Sequence, residues 1–243
     1  MKKEWFETWF DTAYYHALYG DHNEEEAKEL GAVLLDFLHL PPSSRLLDLA
    51  CGKGRFSKYL ASRGYEVVGA DLSEESILQN ISSETEELTF FVHDMRKSLR
   101  INYFDAVFNI FTSFGYFDSE RDNLKTLQAV WQNLKPNGLF VLDYFNSSYV
   151  TKDIISECHK KVGKIDFFIS KKVVKGFVEK EIEVRDAGNV FHFKERVQLF
   201  STSDFDNLLG QANLKVLHRF GDYQLSPFDE QHSPRQLIIA QKI

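Results

Sequence analysis

The stretch from Arg45 to Arg55, R-L-L-D-L-A-C-G-K-G-R, constrains the fold more than any other part of the chain. Leu46 to Leu49 form a short apolar run around Asp48, which reads as a buried strand. The run ends in Cys51-Gly52-Lys53-Gly54, and Phe56, Tyr59 and Leu60 then follow a helical spacing. Strand, glycine turn and helix bring backbone close to a ligand, because glycine leaves room for the approach and accepts φ > 0.

The chain beyond repeats the alternation. Gly64 ends the helix, residues 66–70 (E-V-V-G-A) form a second strand that stops at Asp71, and Ser73 caps the next helix. Residues 88–92 are a third strand ending at His93-Asp94-Met95, and residues 104–111 are a fourth. A helix from about Glu120, striped by Leu124, Leu127, Trp131 and Leu134, breaks at Lys135-Pro136-Asn137-Gly138, before a fifth strand over 139–143. Strands and helices alternating at this spacing argue a doubly wound α/β fold with a parallel sheet.

The rhythm changes near Ile165. Three strand-like runs, 165–174, 177–185 and 190–200, are joined by short links containing glycine, the pattern of an antiparallel meander. The first rhythm then resumes: Ser203 caps a short helix, and residues 214–220 and 235–241 are strands. The domain reading is therefore an N-terminal helical and aromatic lid over 1–40 and a ligand-binding α/β domain over 41–148 and 201–243. Residues 149–200 are a small antiparallel β insertion, expected to cap the cleft or to build the interface of a homodimer.

The N-terminal segment carries Trp5, Phe6, Trp9, Phe10, Tyr14, Tyr15 and Tyr19. It reads either as a helix packed on the domain or as a lid that brings a tyrosine, Tyr14, over a ligand. Asn23, with Glu26 three residues on, forms a capping box for the helix that follows.

Composition narrows the partners. With 243 residues, 43% hydrophobic and 27% charged, the chain has the balance of a globular protein with a sizeable core. A net charge of −7 without a basic run argues against nucleic acid and for a small-molecule partner. Two cysteines give neither a disulfide framework nor a zinc site, and the eight histidines show no ligand spacing, so no metal is expected. Glu4, Glu7 and Asp11 interrupt any signal-peptide core, and no segment has the length of a membrane span. The expected compartment is the cytoplasm.

Four features fall at the carboxyl ends of successive strands, where open α/β sheets bind ligands. They are Asp48 before the turn, Asp71 after the second strand, Asp94-Met95 after the third, and Asn109 leading into F-T-S-F-G-Y-F. A dinucleotide fingerprint would need a third glycine where Ser57 stands. S-adenosylmethionine, which has no phosphate, suits the residues better. Asp48 fits its ammonium, Asp71 its ribose diol, and an acid after the third strand its adenine amino group.

D-L-A-C-G-K-G-R, V-V-G-A-D-L-S, F-V-H-D-M-R and F-D-A-V-F-N-I-F-T-S-F-G-Y-F together resemble the class I S-adenosylmethionine-dependent methyltransferases, in the small-molecule branch often described only as "methyltransferase domain". The resemblance covers about residues 45 to 145. It implies a Rossmann-like seven-stranded sheet whose last strand, near 235–241, inserts antiparallel. It also implies that Gly52 and Gly54 pass under the cofactor, in the turn shared with Cys51, and that Asp48 points to its methionine end. Asp71 would hold the ribose, Leu72, Asp94 and Met95 would surround the adenine, and Asn109 would lie near the methionine moiety. Ala50 stands where the family's motif has glycine, which leaves the backbone approach there open.

The sulfonium carbon of such a cofactor is already activated, so the protein aligns a nucleophile and excludes water. Candidates on the acceptor side are His22 and Tyr116 for catalysis, and Tyr144, Asn146, His232 and Arg235 for the substrate. Arg235 suits an acceptor carboxylate. No Asn-Pro-Pro-Tyr-like signature follows the fourth strand. The expected function is methyl transfer to an O or N atom of a small-molecule acceptor, with S-adenosylhomocysteine as product. A non-catalytic binder of either cofactor form is the alternative, and a nucleotide-dependent oxidoreductase is disfavoured by Ser57.

Overall fold

The computed structural model describes residues 4–20, 24–152, 154 and 157–243. Helices α1 (Trp5–Trp9), α2 (Ala13–Leu18) and α3 (Glu24–Leu38) precede the first strand, β1 (Arg45–Leu49). Then come α4 (Arg55–Ser62), β2 (Glu66–Asp71), α5 (Glu74–Asn80), β3 (Leu88–Val92) and β4 (Phe104–Asn109). The chain continues through α6 (Glu120–Asn133), β5 (Leu134–Phe145) and the short α7 (Ser147–Val150). Four strands follow: β6 (Glu157–Val162), β7 (Ile165–Val174), β8 (Phe177–Asp186) and β9 (Asn189–Gln198). Helix α8 (Thr202–Gln211) and strands β10 (Leu214–Phe220) and β11 (Arg235–Lys242) complete it.

Seven strands form one sheet in the order β10-β11-β5-β4-β1-β2-β3. β1 to β5 pair in parallel, and β11 runs antiparallel between β5 and β10, as the resemblance implied. The continuous apolar run of β1 follows from its central place. Leu46 packs on one face with Leu30, Leu34, Phe56 and Leu60 from α3 and α4, whereas Leu47 and Leu49 pack on the other with Leu127, Val130, Phe205 and Leu209 from α6 and α8. A strand covered on both faces has no polar side to alternate with.

The second sheet is antiparallel, in the order β6-β7-β8-β9. It has four strands, where the sequence patterning gives three. β6, E-C-H-K-K-V, is an edge strand with no buried residue, so it carries no apolar alternation to announce it. The inner face of the sheet, with Phe167, Ile169, Ile182 and Val184, forms a core with Trp9 and Leu18.

The N-terminal stretch divides between two cores. Its first two helices pack on the second sheet, while α3 packs on α4 over the main sheet. The division follows from composition, since Trp and Tyr pack on the inner face of the second sheet while Ala27, Leu30 and Leu34 give α3 a narrow aliphatic stripe. At α8 the N-cap is Ser201, not Ser203, because Ser201 and Asp204 form a capping box. Asn23, expected to cap α3, lies outside the described residues. No helix among the described residues is long and apolar enough to cross a membrane.

Tyr144 ties the two sheets together. Its ring is fully buried against Phe200 and Phe205, and its hydroxyl donates to the Gln198 carbonyl at 2.5 Å. Gly115 comes so close that a Cβ there would lie 2.4 Å from the Tyr144 oxygen. The acceptor role expected of Tyr144 is thus replaced by a structural one, because its side chain alternates into the core and not toward the strand end. Tyr144→Phe is expected to cost about 1 kcal/mol of stability, the net worth of one buried hydrogen bond. Urea unfolding at constant m-value checks it.

Candidate functional site

The carboxyl ends of β1 to β4 open into a cleft enclosing about 710 Å³, its mouth included. On the sheet side the wall is made by Ala50 and Gly52 of the turn, Asp71 and Leu72 after β2, and Asp94 and Met95 after β3. Opposite stand Phe6, Phe10 and Tyr15 of the N-terminal segment, with Ser113, Tyr116 and Phe117 of the loop after β4. Ser73, Ser76 and His93 complete the lining.

The turn after β1 is left-handed at alternate residues, with φ of 64° at Ala50, 53° at Gly52 and 68° at Gly54. Gly54 is required by packing as well, since a Cβ there would meet the Phe90 ring at 2.6 Å. Gly52 is different. No atom lies within 4 Å of where its Cβ would stand, so its backbone is bare toward open space. Ala50 adopts a conformation that costs an L-residue roughly 1–2 kcal/mol.

Asp71 locks this turn to β2. One carboxylate oxygen accepts the Gly52 N–H at 2.7 Å and the other accepts the Ser73 N–H at 2.8 Å. The carboxylate has more acceptor directions than these bonds use, and Asp71 lines the cleft. Burial pushes its pKa above the ordinary carboxylate value, against the hydrogen bonds that lower it. Asp94 also lines the cleft but is clasped by the Arg96 guanidinium, Nη2 to Oδ2 at 2.8 Å. Burial alone would raise Asp94; the Arg96 hydrogen bonds outweigh it and hold the carboxyl below its usual range.

Several residues expected at the cofactor lie just beneath the surface of the cleft. Asp48 is buried and accepts the Ser57 hydroxyl at 2.5 Å, so the serine that breaks the dinucleotide fingerprint has a partner. Cys51 and Gly54 support the turn from below, Cys51 with a thiol whose pKa burial raises and Gly54 against Phe90. Asn109 is buried and donates Nδ2 to the Leu49 carbonyl at 2.9 Å, while its Oδ1 has no hydrogen-bond partner.

The aromatic wall corrects one expectation. Tyr14 is not in the cleft: its hydroxyl donates to Asp186 at 3.2 Å and its ring rests on Phe191, on the second sheet. Adjacent helical residues point about 100° apart, so Tyr15 enters the cleft instead. Phe6 and Phe10, four residues apart in sequence, line the same wall. That spacing was the available signal for them. Tyr116 lines the cleft with its hydroxyl donated to the Thr112 carbonyl at 2.7 Å. Burial raises its pKa further, so it is a hydrogen-bonding group and not a base near neutrality.

Arg235, Asn146 and His232 are not among the residues that line the cleft. Arg235 is engaged by the buried Asp143, Nη2 to Oδ2 at 2.7 Å, and also donates to Thr112 Oγ1 at 2.9 Å. Asp143 in turn accepts the Phe111 N–H and the Tyr223 hydroxyl, at 2.7 and 2.9 Å. These bonds hold two left-handed non-glycine residues, Phe111 and Thr112, at the start of the loop that carries Ser113 and Tyr116. Arg235 therefore supports the loop and offers no free fork to a carboxylate. Asn146 is buried, caps α7 and donates to the Glu230 and Ser233 carbonyls. His232 is exposed and paired with Asp229. His22 lies outside the described residues.

Two expected outcomes test this geometry. Burial pushes the Asp48 pKa up from 3.8 to about 7, with the charge of Asp71 adding to it and the Ser57 hydrogen bond opposing. A carboxyl with a raised folded-state pKa stabilises the fold when protonated. That stability is full below the unfolded value and is lost as pH rises through about 7. Asp48→Asn is therefore expected to match the parent near pH 4 and to exceed it by on the order of a few kcal/mol at pH 8, read by urea unfolding across pH. Ala50→Gly is expected to relieve the left-handed strain and stabilise by about 0.5–1 kcal/mol, the gain being reduced by the greater entropy of unfolded glycine.

Known proteins resemble this chain in sequence and in fold. The family profile described as "Methyltransferase domain" matches residues 19–219. A putative methyltransferase, YqeM of Bacillus subtilis, is 40% identical over 111 residues, which are 44% of this chain and 45% of that protein. The chain thus spans less than half the length of this relative. The dTDP-3-amino-3,4,6-trideoxy-alpha-D-glucopyranose N,N-dimethyltransferase of Streptomyces venezuelae is 24% identical over 185 residues, 72% of this chain and 77% of that protein. Among solved structures, an S-adenosylmethionine-dependent methyltransferase of Clostridium acetobutylicum superposes with a TM-score of 0.78, covering 94% of this chain and 96% of that one at 18% identity. That likeness establishes the α/β fold. With the profile spanning most of the chain, this protein belongs to the methyltransferase-domain family.

Proposed function

We propose that this chain is an S-adenosylmethionine-dependent methyltransferase acting on a nitrogen or oxygen atom of a small-molecule acceptor, with S-adenosylhomocysteine as product. The observation that carries the reading is Asp71, a cleft carboxylate anchored by the turn's own N–H and with acceptor capacity beyond its backbone bonds. A vicinal diol is the ligand group such a carboxylate suits.

The other residues fit the same ligand. The bare backbone over Gly52 leaves space that a side chain would fill. The orphaned Oδ1 of Asn109 is a buried acceptor of the kind an ammonium satisfies. Leu72 and Met95 offer apolar contact for a purine. When bound, S-adenosylmethionine supplies a methyl group already activated by its sulfonium. The chain's task is then orientation and exclusion of water, which the wall of Phe6, Phe10, Tyr15 and Tyr116 serves.

Among the described residues, the cleft lining contains Asp71 and Asp94 but no lysine or arginine, which favours a neutral or cationic acceptor over an anionic one. An amine meets that condition, and the Streptomyces relative is named as an amino-sugar N,N-dimethyltransferase. Cys51 and Cys158 are free thiols, which favours a reducing compartment such as the cytoplasm.

Calorimetric titration with S-adenosylmethionine, S-adenosylhomocysteine and NAD, beside an Asp71→Ala variant, tests the proposal. The expected result is binding of the first two and not of NAD, weakened roughly a hundredfold in the variant by loss of two charge-assisted hydrogen bonds. Binding of NAD alone would overturn it. Transfer of labelled methyl groups to small amines then separates an enzyme from a non-catalytic binder.

A further inference from the structure

The aromatic wall of the cleft is held from behind by the second sheet. On the inner face of that sheet, among apolar side chains, Lys180 of β8 and Glu195 of β9 stand opposite one another. They form an ion pair at 2.9 Å, with only 18% and 14% of their side chains exposed. Glu195 Oε1 accepts the Trp9 indole N–H at 2.7 Å and the Tyr19 hydroxyl at 2.6 Å. Lys180 also donates to the Tyr19 oxygen and lies over its ring.

The pair thus receives the N-terminal segment at two points, residues 9 and 19. Between them are Phe10 and Tyr15, the residues that reach the cleft. The rings are in contact throughout: Trp9 with Tyr15, Phe10 with Tyr15, and Tyr15 with Tyr19, at centroid distances of 5.6, 4.9 and 5.0 Å. A shift of Trp9 or Tyr19 must therefore displace Tyr15.

Stability does not explain the pair. Charges withdrawn from water cost nearly what their attraction returns, and well-packed apolar residues of similar volume commonly do as well or better. What an apolar pair cannot supply is one fixed acceptor for both the Trp9 and Tyr19 donors.

We infer that Lys180 and Glu195 are positioning residues: a latch on the insertion that fixes the N-terminal segment so that Phe10 and Tyr15 close over the ligand in the cleft. The inference rests on the cofactor reading above. It assigns the second sheet a part in retaining that ligand without touching it.

The test compares the parent protein with a Lys180→Leu/Glu195→Leu double variant and with Glu195→Gln, which keeps the acceptor oxygen. Melting temperature, affinity for S-adenosylhomocysteine and its dissociation rate are measured for each. The double variant orphans the Trp9 and Tyr19 donors and is expected to melt somewhat lower while remaining folded, and to release S-adenosylhomocysteine roughly tenfold faster or more, whereas Glu195→Gln stays within about threefold of the parent. Unchanged release from the double variant would overturn the latch while leaving the proposed function standing. A double variant that no longer folds, with Glu195→Gln losing affinity as well, would make the pair a folding element and also overturn it. No binding by the parent protein would overturn the cofactor reading and the latch together.

Discussion

One hydrogen bond organises the cleft: the Gly52 N–H donated to Asp71 at 2.7 Å. It joins the turn after β1 to the end of β2, the neighbouring strand, and it fixes a backbone that is left-handed at Ala50, Gly52 and Gly54. The remainder of the main sheet can be read as support for that bond. β1 is buried on both faces, Asn109 of β4 holds the Leu49 carbonyl from one side, and Phe90 of β3 fills the space that Gly54 and Gly69 leave open. The turn's strain persists because these contacts over-determine it.

A second constraint acts from the other side of β4. Arg235 of the antiparallel strand β11, Asp143 of β5 and Tyr223 together hold the strained start of the loop after β4. Tyr144, one residue beyond Asp143, faces the other way and pins the exit of the insertion at Gln198. Alternation along a single strand thus sends one side chain to the support of the cleft and the next to the seam between the sheets. The N-terminal segment then closes the cleft from a base on the second sheet, so the wall on that side depends on residues more than a hundred positions away in sequence.

Much of this is legible in the sequence where the signal is local. The glycine turn, the acids after β2 and β3 and the α/β rhythm are carried by adjacent residues, and their positions follow from strand and helix periodicity. What the sequence does not carry is the direction of side chains set by distant partners. Arg235 looks available until Asp143 engages it, and Asp48 looks free to meet an ammonium until Ser57 donates to it. Tyr14 and Tyr15 are indistinguishable by type, and only the docking of α2 on the second sheet selects the second for the cleft. Strand β6, polar and at an edge, is announced by its pairing to β7 alone.

The central claim is that Asp71 and the turn it holds form a seat for an adenosine-bearing ligand. A crystal structure of the protein with S-adenosylhomocysteine tests this most directly. The account predicts the ribose hydroxyls on the Asp71 carboxylate, the adenine between Leu72 and Met95, and the ammonium within hydrogen-bond reach of Asn109 Oδ1. Density for the ligand away from the turn, or a ribose that makes no contact with Asp71, would contradict it.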